Sequence, residues 1–263
     1  MEHGIKWLKN RERADDLALF LDFDGTLAPI VERPGDARPL EGIPELIERI
    51  GRHIPVAVIS GRGPDDVSDR LGTSSIYIAG SHGMEIRPPH QPAEAEERVE
   101  SLLPVLDDEE ARLRDHFAEV SGIEIERKRF GIAIHFRRRP EAREKVEKAI
   151  EKSIEAHPEL KMGTGKMVRE LQPDVDVDKG TALRIIRERI DASQQWALYV
   201  GDDRTDEDAF EAVADDGAGI LVAEEPRSSA ARYWLRDPRE VRQFLEAIEE
   251  LLVDDGSGGG LGA

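Results

Sequence analysis

Apolar positions along the chain fall into two alternating kinds of pattern. The stretches "LALFLDF" (17–23), "IPVAVISG" (54–61), "SIYIAGSHG" (75–83), "WALYVGDD" (196–203) and "GAGILVA" (217–223) are short, nearly continuous apolar runs. Runs of that length predict strands buried on both faces. Between them, "GIPELIERIGRH" (42–53) and "DPREVRQFLEAIEELL" (237–252) repeat apolar residues at helical spacing. "GPDDVSDRLG" (63–72) opens with Pro and acids and stops at Gly, which is how helices begin and end. "DKGTALRIIRERI" (178–190) reads as a helix capped by Asp178, and "TDEDAFEAVADD" (205–216) as another. Strands alternating with helices predict an α/β fold with a Rossmann-like parallel-sheet core covered on both faces.

The middle of the chain breaks this rhythm. "IRPPHQPAEAEE" (86–97) is proline-rich and then acidic, which predicts a linker, and residues 97–120 read as helical. "GIEIERKRFGIAIHFRR" (122–138) alternates apolar and polar residues twice, the signature of antiparallel strands with one wet face. A helix is expected over 140–156 and a hairpin over 160–173, turning near Gly163–Gly165. The predicted organisation is therefore a core domain (1–86), an inserted α/β cap domain with an open sheet (87–173), the second part of the core (174–254) and a glycine-rich flexible tail (255–263). No internal repeat is visible.

Composition narrows the classes of function. The 263 residues are 39% hydrophobic and 35% charged, a balance that supports one or two folded cores. No apolar run approaches a membrane span, and the charged N-terminus lacks the apolar centre of a signal peptide, so the expected location is cytoplasmic. The net charge of -19 disfavours nucleic acid and anionic lipid, both of which are bound by neutralising phosphates. A small anionic substrate remains compatible wherever local cations overcome that field. The absence of cysteine excludes disulfides, thiolate metal sites and cysteine nucleophiles. A monomer without nucleic-acid or membrane partners is the expectation.

Two of the apolar runs end alike, "FLDFD" (20–24) and "YVGDD" (199–203). In an open parallel sheet the carboxyl ends of the strands form the ligand crevice. Asp22, Asp24, Asp202 and Asp203 would meet there, and like charges so close call for a cation. An all-oxygen donor set with room for water suits Mg²⁺ better than Ca²⁺. Aspartates at strand ends also serve as plain turn residues. An EF-hand does not fit: counted from Asp22, position 12 is Arg33, and counted from Asp202 it is Val213. A GxxxxGK[ST] phosphate loop is absent as well.

"DFDGTL" (22–27), "VISGR" (58–62), "DKGTAL" (178–183) and "GDDRTDED" (201–208) resemble, in order, the four signatures of the haloacid dehalogenase superfamily in its phosphatase form. The segment between the second and third signatures corresponds to that superfamily's C2-type cap. "AGSHGMEI" (79–86), "ERK…IHFR" (126–137), "VRELQP" (168–173) and above all "GDDRTDEDAF" (201–210) resemble the trehalose-6-phosphate phosphatases. This resemblance implies an enzyme that hydrolyses a small-molecule sugar phosphate through an aspartyl-phosphate, with Mg²⁺ as cofactor. By the family pattern Asp22 is the nucleophile and Asp24 the general acid and base. Asp22, the main-chain carbonyl of Asp24 and Asp202 would hold the metal, with Asp203 or Asp206 completing or orienting that shell. Ser60 and Lys179 would bind phosphoryl oxygens, Thr26 would position Asp24 or the phosphate, and Arg62 and His82 would face the substrate or its phosphate. Lys179 opens a helix, where a cation opposes the dipole, so it needs an anionic partner. In the cap, Glu126, Lys128 and Glu170 would contact the sugar, whereas His135 reads as structural. The alternatives are a phosphatase for a sucrose or mannosyl-glycerate phosphate, a phosphomutase, and a non-catalytic sugar-phosphate sensor.

Overall fold

The computed structural model describes all residues except 12, 13, 166, 193 and 258–263, and side chains as far as residue 253. The chain divides into two compact units, one of Met1–Glu94 with the chain from Val177 onward, the other of Ala95–Asp176. Along the chain come β1 (Glu2–His3), α1 (Gly4–Leu8), β2 (Leu17–Leu21), α2 (Ile43–Ile50), β3 (Val56–Ile59), α3 (Pro64–Leu71), β4 (Tyr77–Gly80), β5 (Glu85–Arg87) and β6 (Glu94–Ala95). The second unit carries α4 (Glu97–Glu100), α5 (Leu103–Phe117), β7 (Glu124–Lys128), β8 (Gly131–His135), α6 (Arg143–Ala156), β9 (Leu160–Gly165) and β10 (Val168–Pro173). The first unit resumes with α7 (Lys179–Arg189), β11 (Trp196–Gly201), α8 (Glu207–Ala212), β12 (Gly217–Val222), β13 (Tyr233–Leu235) and α9 (Pro238–Ser257).

The large sheet has the order β1-β13-β12-β11-β2-β3-β4-β5-β6. Its pairs from β13 through β4 are parallel, while β5 turns back antiparallel on β4. The continuous apolar character of the central strands has a direct cause. Leu17, Leu19 and Leu21 of β2 face one core with Val56, Val58, Leu198 and Val200. The alternate residues Ala18 and Phe20 face a second core with Ala57, Ile59, Ala197 and Tyr199. Successive side chains on a strand point to opposite faces, so a sheet buried on both sides needs apolar residues at every position. Truncating any of these leucines to alanine would cost about 2–5 kcal/mol. In α2, Ile43, Leu46, Ile47 and Ile50 form the buried stripe that the spacing predicts.

In the second unit the strands follow the order β7-β8-β10-β9, all neighbours antiparallel. Ile132, Ile134, Leu160 and Leu171 pack beneath α5 and α6 against Leu106, Leu113, Val146 and Ile150. The opposite face of that sheet carries the polar residues of the alternating stretch.

Several local expectations need correction. Residues 86–97 are not a bare linker, because β5 and β6 lie there and extend the large sheet, so residues 87–94 belong to the first unit. The helix expected over 97–120 is broken into α4 and α5. Pro104 stands at the start of α5 and cannot continue a helix arriving from Glu100, having no N–H and a ring that collides with the preceding turn. The strand expected over 75–83 stops at Gly80, and Ser81–Gly83 form a tight turn in which His82 has φ 57°. The helix expected over 205–216 reduces to α8 after a short 3₁₀ turn, Arg204–Asp206. The N-terminal residues, readable only as charged, form β1 and α1. Trp7 stacks on Tyr233 with ring centroids 4.8 Å apart and lies 5.2 Å from Trp196. The expected tail from 258 on lies outside the described residues. No helix among the described residues is long and apolar enough to cross a membrane.

Candidate active site

The first functional turn follows β2 directly. The Asp22 amide donates to the carbonyl of Val200 (2.8 Å), which carries the ladder to β11 one residue past β2. The chain then reverses, with the Gly25 amide on the Ala28 carbonyl (2.7 Å) and the Leu27 amide on that of Phe23 (2.9 Å). Gly25 has φ +78°, and a Cβ built there would lie 2.0 Å from Asp202 Oδ2. Only glycine satisfies both the left-handed backbone and the approach of that carboxylate.

Asp202 and Asp203 follow β11, and Asp206 ends the short 3₁₀ turn. Asp206 is fully buried. Its Oδ1 accepts from Lys179 Nζ (2.7 Å) and the Tyr199 hydroxyl (2.6 Å), and its Oδ2 accepts from the amides of Asp202 (3.0 Å) and Asp203 (2.9 Å). A carboxylate offers about four lone-pair sites, so Asp206 is saturated. Asp203 is exposed and caps the same turn through the Thr205 amide. Lys179, at the start of α7 behind its Asp178 cap, also donates to Asp22 Oδ1 (2.8 Å). The cation that opposed its own helix dipole thus has two buried anionic partners.

Oxygens of Asp22, Asp202 and Asp206 lie within 4.8 Å of one another. Burial pushes the Asp22 carboxyl well above the ordinary carboxylate range, with Lys179 pulling it back and Asp206 and Asp202 adding to the rise. Burial, then repulsion from Asp206 and Asp203, raises Asp202 to about 7. Burial works against the Lys179 ammonium, yet Asp22 and Asp206 outweigh it and hold the amine above its usual range. The cluster therefore has more negative charge than one lysine balances.

Asp24 turns to the other side. Arg62 grips it with two hydrogen bonds, Nε to Oδ2 (2.6 Å) and Nη2 to Oδ1 (2.8 Å), and also binds Asp66 (3.0 Å) and the Pro34 carbonyl (2.7 Å). Ser60, at the end of β3, is buried, and its Oγ accepts from the Arg62 amide (3.2 Å). Asp22, Asp24, Ser60, Arg62, His82, Lys179, Asp202 and Asp203 all line one cavity of about 320 Å³, with Ile30, Val31 and Pro34 as its apolar wall. Thr26 is buried outside that lining, and its Oγ1 has no hydrogen-bond partner among the described residues.

Glu126, Lys128 and Glu170 lie in the second unit. Glu126 and Glu170 both sit opposite Ala133, one on each side of β8. Lys128 Nζ reaches Glu170 Oε2 (3.1 Å), and His135 Nε2 lies 2.9 Å from Glu126 Oε2. Gly131 and Ala133 of β8 lie between them, and Gly163 of β9 lies beside Glu170 on its other flank, so these side chains border small residues.

The sequence model of the trehalose-phosphatase family matches residues 20–239, a span that runs from β2 to the start of α9 and includes every residue of the cavity. The chain belongs to the trehalose-phosphatase family. It is 39% identical over 243 residues to a trehalose-phosphate phosphatase of Mycobacterium ulcerans, covering 89% of this chain and 62% of that protein. It is 33% identical over 266 residues to a probable trehalose-phosphate phosphatase of Oryza sativa, covering 94% of this chain and 73% of that one. The chain therefore spans less than two thirds of the mycobacterial relative. Among solved structures, a trehalose-6-phosphate phosphatase related protein superposes with a TM-score of 0.78 at 29% identity, covering 91% of this chain and 99% of that one.

Two residues beside this cavity escape sequence reasoning, and one contact of a residue that it named. Tyr199 lies within an apolar strand and reads as core. Arg227 sits in a loop without pattern, yet it donates to the carbonyl of Asp203 (3.0 Å) and to Glu207 Oε1 (2.7 Å), bracing the Asp202–Asp203 turn. The grip of Arg62 on Asp24 has no local signal, since the two are 38 positions apart.

Proposed function

We propose that the chain hydrolyses trehalose 6-phosphate to trehalose and inorganic phosphate. The observation that carries this reading is the Asp22 carboxylate at the end of β2, 2.8 Å from Lys179 and grouped with Asp202. Hydrolysis of a phosphate monoester is among the slowest uncatalysed reactions, and a carboxylate nucleophile divides it into two easier steps. Asp22 attacks phosphorus, and the bond to the sugar oxygen breaks. Asp24 protonates that leaving oxygen. Asp24 then takes a proton from water, which attacks the phosphorus of the aspartyl-phosphate and returns Asp22 to a carboxylate. Both Asp24 oxygens accept from the Arg62 fork, so Asp24 must leave that fork and take up a proton before it meets the leaving oxygen. Lys179 and Ser60 meet the phosphoryl oxygens, where charge must be stabilised during in-line transfer.

The donor set fits a divalent hard cation: all oxygen, buried or half-buried, and with surplus negative charge. Asp22, Asp202 and the main-chain carbonyl of Asp24 would hold Mg²⁺. Saturated by four donors, Asp206 stands behind them as the anchor of Lys179 and the turn, and Asp203 caps that turn. Once bound, Mg²⁺ supplies positive charge to the phosphoryl oxygens. Sugar recognition is assigned to Glu126, Lys128 and Glu170, since carboxylates and lysines suit a polyhydroxyl ligand. The test is phosphate release from trehalose 6-phosphate by the purified chain. Release with Mg²⁺ that stops in EDTA supports the reading, and release that survives chelation removes the metal from it.

A further inference from the structure

The mechanism above gives no task to the buried hydroxyl of Tyr199, which touches the site through Asp206. Tyr199 is fully buried on β11, between Phe20 of β2 and Gly219 of β12. Its ring belongs to the core that includes Ala18, Phe20, Ala197 and Phe210, and it meets Phe210 edge-on with centroids 5.6 Å apart. A phenylalanine would fill that place equally well. A buried hydroxyl is costly unless paired, and this one donates to Asp206 Oδ1 at 2.6 Å.

The same oxygen receives Lys179 Nζ, so the hydroxyl and the ammonium share one acceptor. Lys179 in turn divides itself between Asp206 (2.7 Å) and Asp22 (2.8 Å). An ammonium has three N–H donors. With two engaged, one is left for a phosphoryl oxygen in the cavity that Lys179 lines. We propose that Tyr199 is a positioning residue for catalysis: its hydroxyl occupies Asp206 Oδ1 so that Lys179 stays against Asp22 instead of withdrawing onto Asp206. Oδ2 is already fixed by two main-chain amides, so Oδ1 is the only side on which this balance can change. Without the hydroxyl, the charge on Oδ1 falls to Lys179 alone, and the ammonium moves away from the nucleophile and the phosphoryl group.

This inference rests on the phosphatase reading, and Tyr199→Phe tests it. Asp206 keeps three donors in the variant, so the fold should survive with Tm within a few degrees of wild type. The kcat should fall by roughly tenfold, the scale of one hydrogen bond to a charged group acting through a neighbour. Because the effect lies at the reacting phosphorus, trehalose 6-phosphate and p-nitrophenyl phosphate should lose the same factor. The KM for each and the Mg²⁺ concentration giving half-maximal rate should stay close to wild type. A kcat equal to wild type overturns the proposal while leaving the phosphatase reading standing. A variant that unfolds, or loses Tm with kcat per folded molecule unchanged, makes Tyr199 a packing residue and also overturns it. Wild-type protein inactive on both substrates sinks the phosphatase reading and this inference with it.

Discussion

Replacing Gly25 with alanine should separate folding from catalysis at the junction of the two acidic turns. A methyl group there would lie 2.0 Å from Asp202 Oδ2, 2.3 Å from its Cγ and 2.7 Å from Oδ1, inside the 3.0 Å that real contacts respect. The Asp202 carboxylate must therefore retreat by about 1 Å, because the turn at Gly25 is pinned by its bond to Ala28. The backbone adds its own cost: φ +78° is left-handed, worth about 1–2 kcal/mol for a residue with a Cβ. That strain should lower Tm by about 2–8 °C in a protein of this size. Misplacing a catalytic or ligating group by about 1 Å costs on the order of a hundredfold in rate. Gly25→Ala should thus lose far more activity than stability, with a raised Mg²⁺ requirement. The assay is initial phosphate release against Mg²⁺ concentration, paired with thermal unfolding. Activity within threefold of wild type at ordinary Mg²⁺ would refute the close approach of Asp202 to this turn as a condition of catalysis.

Asp22→Asn should abolish turnover yet still bind trehalose 6-phosphate in calorimetry, because the amide is nearly isosteric but cannot attack phosphorus; near-normal turnover would remove Asp22 as nucleophile. Asp202→Asn should raise the Mg²⁺ needed for half-maximal rate, and an unchanged requirement would detach that residue from the metal. In metal-free protein, Asp202 titrates near 7 when folded against 3.8 when unfolded, so the folded chain holds an extra proton between those values. Stability in EDTA should therefore fall as pH rises from about 4 to 7, and Mg²⁺ should raise Tm more at pH 8 than at pH 5.5; the opposite order would contradict the buried cluster. Glu126→Ala and Glu170→Ala should each lower kcat/KM for trehalose 6-phosphate by about one to two orders of magnitude. Hydrolysis of p-nitrophenyl phosphate should change little, and an equal loss on both substrates would deny these glutamates a role in choosing the sugar.

The central strands were readable from the sequence because a sheet covered on both faces leaves no charged position along β2 or β11. The acidic turns were readable too, since two carboxylates after such a run have no packing reason to be there. What escaped depends on pairing across distance. The outer strands β1, β13, β5 and β6 are too short to show a period, and α1 is recognisable only through the stack of Trp7 on Tyr233 and Trp196. Asp206 illustrates the limit within the site. Its place in "GDDRTDED" marked it as a metal candidate, but two of its four donors, Lys179 and the Tyr199 hydroxyl, lie outside that motif and reach it only through the fold. Arg62 is similar: the residue type pointed to phosphate, whereas its bidentate partner is Asp24.

The central claim is tested most directly by the specificity constant for trehalose 6-phosphate, measured beside sucrose 6-phosphate, mannosyl-glycerate phosphate and glucose 6-phosphate under saturating Mg²⁺. The account predicts that trehalose 6-phosphate exceeds each of the others by at least tenfold in kcat/KM and yields trehalose and phosphate in equal amounts. A different sugar phosphate turned over faster, or tight binding of trehalose 6-phosphate with no phosphate released, would contradict it.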